Sequence, residues 1–130
     1  MPIETARLRI YRTSNSLIAE VQGRAILVAS AVDALELWFR ARAERADWMA
    51  LHEANISPEF FDLRSGLAGE VLQKLVNYRA RLAIVGDIAR YLERSESLKA
   101  LVRESNRGKD VRFAISLEAL LGDAGPAAEF

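Results

Sequence analysis

The chain has no cysteine and a single histidine, His52. The first absence excludes disulfides, Cys-ligated zinc and thiolate-held iron–sulfur clusters. The second means that any imidazole chemistry must use His52. There is no excess of charge either. Lys and Arg number 18, and Asp and Glu number 18. The overall balance therefore draws the chain neither to nucleic acid nor to anionic lipid, and no nucleic-acid partner is expected. No apolar run approaches the ~18 residues of a membrane-spanning helix, so no membrane partner is expected. The start, Met1-Pro2-Ile3-Glu4-Thr5, lacks the basic and apolar parts of a signal peptide, which makes a cytoplasmic location the expectation. Neither G-x-G-x-x-G nor a P-loop occurs, and no cofactor is expected.

What is present is a chain of 130 residues, 51% of them hydrophobic. That length fits one domain, which buries roughly two-thirds of the surface of its unfolded chain. The expected boundaries are a domain over residues 1–122 and a flexible tail over 123–130. The wealth of Ala and Arg fits a GC-rich bacterial genome.

Leu8, Ile10 and Arg12 alternate with Arg7, Arg9 and Tyr11, the period of a half-buried strand. Thr13 to Ser16 has turn composition, and Leu17 to Val21 reads as the second arm of a hairpin. Ala25 to Ala29 is apolar and short enough for a third strand. Ser30 and Asp33 form an N-terminal signal for a helix whose expected apolar stripe is Val32, Leu35, Trp38 and Phe39. Trp48 to Leu51 and Leu82 to Val85 are apolar throughout, as in strands buried on both faces. Ser57-Pro58-Glu59 predicts one helical turn, and Leu67, Val71, Leu72, Leu75 and Val76 form one helix face. Asp87 predicts a short helix through Tyr91, and Ser95 or Ser97 starts a longer one that stops at Gly108. Val111 to Ile115 reads as the last strand, and Ser116 caps a final helix. Helices alternating with apolar strands imply right-handed β-α-β crossovers. The expected fold is a single α/β domain. Its mixed sheet opens with a hairpin, continues in parallel β-α-β units and is covered by helices.

Several strings are distinctive: His52-Glu53, Phe60-Phe61-Asp62-Leu63, Ser65 to Lys74, Tyr78, Leu82 to Asp87, and Glu104 to Gly108. Together they resemble a bacterial family known only as domain of unknown function 4180, over roughly Leu17 to Leu121. That resemblance implies a single bacterial domain and no assigned activity. The architecture also resembles the STAS domain of anti-sigma-factor antagonists. There a kinase partner modifies a Ser or Thr that precedes Gly at a helix start, beside an Asp. Asp62-Leu63-Arg64-Ser65-Gly66 occupies the matching place, although Leu63 and Arg64 separate the Asp from the Ser. The resemblance implies phosphorylation at Ser65.

Ligands of parallel sheets usually bind beyond the strand C-termini. His52, Glu53, Asn55, Asp62, Ser65 and Asp87 are expected to gather at that edge, with Arg64 and Gly66 beside Ser65. A phosphate on Ser65 would meet the positive end of a helix dipole and could pair with Arg64. The plainer reading makes Ser65 a helix cap. His52 could join Ser65 and an acid in a triad, yet no G-x-S-x-G elbow exists, and a hydrogen-bonded structural His is the simpler reading. A metal held by His52, Glu53 and Asp87 has the right ligand types but no fixed spacing, so no metal site is assigned. No catalytic residue is assigned either. Phe60-Phe61 is read as a core plug rather than an exposed pair.

The leading expectation is a non-enzymatic regulatory or protein-binding module whose surface spans His52 to Asp62 and the helix from Ser65. The alternative is a small-molecule binder or hydrolase using His52 and Ser65. A homo-oligomer joined through Trp38, Phe39 or the first strand is a third.

Overall fold

The computed structural model describes residues 7–122. Strand β1 (Leu8–Arg12) runs into β2 (Leu17–Val21) as an antiparallel hairpin. Its turn is closed by Thr13 N–H donating to the Ser16 carbonyl at 2.8 Å. Three parallel strands follow: β3 (Trp48–His52), β4 (Leu82–Val85) and β5 (Val111–Ala114). The spatial order is β1-β2-β3-β4-β5. The crossovers are α1 (Ala31–Ala43), α2 (Leu67–Asn77), and the pair α3 (Ala89–Leu92) and α4 (Glu96–Arg107). A last helix, α5 (Leu117–Gly122), follows β5. The expected single α/β domain with a mixed sheet is what the chain forms.

The strand order never reverses. Right-handed crossovers that all step the same way put their helices on one face of the sheet. The large core lies there, where Ala19, Val21, Met49, Leu51, Leu82, Ile84 and Phe113 meet α1, α2 and α4. The other face carries Ile18, Ala50, Ala83, Val85 and Ala114, packed against Leu117, Leu120 and Leu121 of α5. Without a reversal there is no crevice between diverging helices, the usual ligand place of doubly wound sheets. Functional groups must therefore be sought on the strand edge and the loops.

Four expectations need correction. Ala25 to Ala29 forms no strand; only Val28 makes an isolated parallel bridge, to Ile56. The core side of α1 is Ala34, Leu37, Trp38 and Ala41, while Val32 and Phe39 are 57% and 50% exposed. Ala34, Leu37, Trp38 and Ala41 share one face of α1; Val32 and Phe39 lie off it, and Phe39 meets Tyr78 edge to face at 5.6 Å. Val76 also leaves the expected stripe and is exposed, and so is Arg12. The expected tail, residues 123–130, lies outside the described residues.

Ser30, Ser57 and Ser95 cap their helices or turns through backbone N–H bonds, as their positions predict. Phe60 and Phe61 are both buried.

Candidate functional site

The end of β3 carries His52, and the neighbouring β2 carries Glu20 on the same face. His52 Nε2 lies 2.6 Å from Glu20 Oε2. Tyr11 Oη donates to Glu20 Oε1 at 3.2 Å and Gln22 Nε2 donates to it at 2.6 Å. Glu20 is only 8% exposed. A carboxylate so enclosed is tolerable because these donors satisfy both oxygens. The ring also closes a capping box with Asn55: it faces the Asn55 backbone N–H, short of a full hydrogen bond, while Asn55 Oδ1 accepts from His52 N at 2.9 Å. Nε2 is thereby engaged by Glu20, while the side chain stays 32% exposed.

Asn55 is wholly buried. Its Nδ2 donates to the Gly23 and Ala25 carbonyls at 3.1 and 3.0 Å. Its own carbonyl accepts from Leu27 and Val28 N–H at 2.8 and 3.0 Å. Asn55 therefore staples residues 23–28 onto the turn that leaves β3, and its polar groups are consumed inside the fold.

Gly86 follows β4 with φ +132°, and a Cβ there would lie 2.7 Å from Glu53 Cγ. Glycine is needed both for the backbone angle and for the approach of Glu53. Glu53 in turn pairs with Arg90 at 3.2 Å. Arg90 lies over the Tyr91 ring at 4.4 Å, and Tyr91 stacks on Phe61 at 4.5 Å. The hydrogen bond to the Tyr91 hydroxyl, aided by Glu53, raises the Arg90 pKa above its ordinary value. Asp87 accepts from Ala89 N at 2.9 Å, although the cap position of α3 falls on Ile88, one residue later than the sequence suggested. His52, Glu53 and Asp87 share a cavity of about 380 Å³ with Glu20, Arg24 and Ser116. Among the described residues, no group of three His, Asp or Glu side chains is placed to hold a metal ion.

Asp62, Arg64, Ser65 and Gly66 form a second group. Pro58–Phe61 and Leu63–Ser65 are two consecutive 3-10 turns. Asp62 caps the second by accepting from Arg64 N at 3.3 Å. Gly66, at φ +86°, is the residue that enters α2, so Ser65 stands one position earlier than a cap. Its hydroxyl nevertheless accepts from Leu67 N at 3.2 Å and donates to the Glu59 carbonyl at 2.7 Å. The Arg64 side chain is 96% exposed and only loosely paired with Asp62, at 3.8 Å. A cleft of about 630 Å³ adjoins this segment, between Asp62, Arg64 and Phe61 on one side and Tyr91, Arg94 and Ser97 on the other. Gly66 borders a shallow groove along α2 instead.

The expected single cluster is thus two. Ser65 and His52 share no hydrogen bond and no cavity among the described residues, so a triad through them is not assembled. Sequence reasoning missed Glu20, Tyr11 and Gln22. The available signal was Glu20 itself, the one acid in an otherwise apolar strand.

The sequence matches the family model described as Domain of unknown function (DUF4180) over residues 13–123. No curated protein matches it. No solved structure matches it either. The match spans every element from β2 to α5 and both clusters at the strand edge, and the chain belongs to the domain-of-unknown-function family DUF4180.

Proposed function

We propose that the protein is a non-enzymatic regulatory module that binds a protein partner through Pro58 to Gly66 and the head of α2. One observation carries this reading: the Ser65 hydroxyl, in an exposed residue, ties two elements together. It donates to Glu59 in the first 3-10 turn and accepts from Leu67 in α2. A phosphate on that oxygen removes the proton donated to Glu59. It adds a charge of about −1.5 to −2 beside Arg64 and the positive end of α2. The turn would be released and Arg64 drawn inward, which changes the surface offered to a partner. The likeness to STAS domains points the same way. His52 fits a non-enzymatic role, since Glu20 engages its Nε2 and Asn55 its backbone N–H.

The test is a paired purification with tagged wild type, Ser65→Glu and Ser65→Ala, followed by binding measurements on the isolated partner. Ser65→Glu is expected to weaken that partner about tenfold or more, the scale of one or two charge-assisted bonds. Ser65→Ala should have a smaller effect, because it removes the tie without adding charge. Equal affinity for all three proteins would sink the switch.

A second reading rests on the cavity over His52, Glu53 and Asp87. It would hold a small ligand, without hydrolysis by Ser65. A metabolite that co-purifies with wild type and is lost from His52→Leu would favour it.

A further inference from the structure

Strand β1 is the first strand of the sheet, and among the described residues nothing pairs with its outer edge. The hydrogen-bond pattern of the hairpin shows which backbone groups are left there. Gln22 N–H donates to the Arg7 carbonyl and Thr13 N–H to the Ser16 carbonyl, both at 2.8 Å. In the register Arg9↔Glu20 and Tyr11↔Ile18, the odd residues of β1 therefore bond to β2. Leu8, Ile10 and Arg12 point their N–H and C=O groups outward. Ile10 is itself 39% exposed.

An open edge of this kind invites another strand, and arginines on an edge often serve to repel one. Here Arg7, Arg9 and Arg12 do not repel every pairing. A second copy can add only in registers that match outward residues with outward residues. Centring the pair on Arg9 or Arg12 sets Arg against Arg, and centring on Leu8 sets Arg7 against Arg9. Centring on Tyr11 leaves Leu8 without a partner in the strand. Centring on Ile10 uses all three outward residues of each copy. It sets Ile10 against Ile10, Leu8 against Arg12 and Arg9 against Tyr11, with no arginine facing another. Apolar contact at the axis and a cation over an aromatic ring beside it are favourable cross-strand pairs.

We propose that the protein forms a two-fold symmetric dimer by antiparallel pairing of β1 with β1, centred on Ile10. The interface is isologous and joins two five-stranded sheets into one continuous sheet. The helix layers then lie on a common face, and both clusters of the strand edge remain open.

Sedimentation equilibrium tests the pairing. Wild type is expected at twice the chain mass of 14.5 kDa. Ile10→Lys brings two cations together at the axis and should sediment as a monomer, as should Ile10→Glu. An equal mixture of the two variants should recover the dimer, because the charges then complement. Ile10→Pro removes one outward N–H and leaves the bonds to β2 intact, so it should also be monomeric while its circular dichroism stays native. A monomeric wild type overturns the proposal and leaves β1 to a strand of another protein. So does a dimer that persists in folded Ile10→Lys or Ile10→Pro, or a mixture of folded variants that stays monomeric.

Discussion

Replacing Asn55 with alanine is expected to lower unfolding stability by about 3 kcal/mol, from several lost hydrogen bonds in one network. Three bonds go at once: those donated to Gly23 and Ala25, and the one accepted from His52 N. The His52 N–H is left partly buried without its acceptor. Residues 23–28 lose their staple, and the capping box that orients the imidazole opens. Urea titration measures the effect, as a lower midpoint with an unchanged slope. A loss below about 1 kcal/mol, the worth of a single ordinary hydrogen bond, would mean that the loop is held by other contacts.

The other large effect is expected at Phe60→Ala. Phe60 is wholly buried in the helix-side core and meets Phe61 edge to face, at a centroid distance of 5.2 Å. Removing a buried phenyl ring typically costs about 3–5 kcal/mol, the transfer term plus the cavity left behind. The damage should also be local. Phe60 anchors the turn whose Glu59 carbonyl receives the Ser65 hydroxyl. Amides of residues 58–66 should exchange faster in the variant than those of β3 and β4. Urea unfolding together with hydrogen exchange checks both parts. A cost below about 1.5 kcal/mol would show that the site collapses without strain.

Much of this architecture was legible because the signals are local. Trp48 to Leu51 and Leu82 to Val85 are continuous apolar runs, as strands covered on both faces require. Serines at positions 30, 57 and 95 mark starts that backbone N–H groups then confirm. The errors arise where packing overrides pattern. On α1 the core face is built on Ala34, Leu37, Trp38 and Ala41, and Val32 and Phe39 lie off it. Ala25 to Ala29 has strand composition, but the Leu27 and Val28 N–H groups both donate to the Asn55 carbonyl and the Ala29 N–H to Asp33, not to a neighbouring strand.

The candidate site was legible in membership, not in arrangement. His52, Glu53 and Asp87 share a cavity as their strand ends predict. Glu20 was invisible because a buried acid needs donors distant in sequence, here Tyr11 and His52. Asn106 was missed because its partner is the backbone of the next strand, which side-chain pattern does not report. It is buried in α4 and bonds to both the N–H and the C=O of Phe113, at 2.8 and 3.2 Å. Such side-chain pairings leave no periodic trace in the chain.

The central claim is that residues 58–66 and the head of α2 form the partner surface. The most direct test is amide hydrogen exchange on the protein free and bound to the partner retained by the wild type. Slowed exchange in 58–66 and the first turn of α2, absent when Ser65→Glu replaces wild type, is the result this account predicts. Slowed exchange elsewhere, with residues 58–66 unchanged, would contradict it.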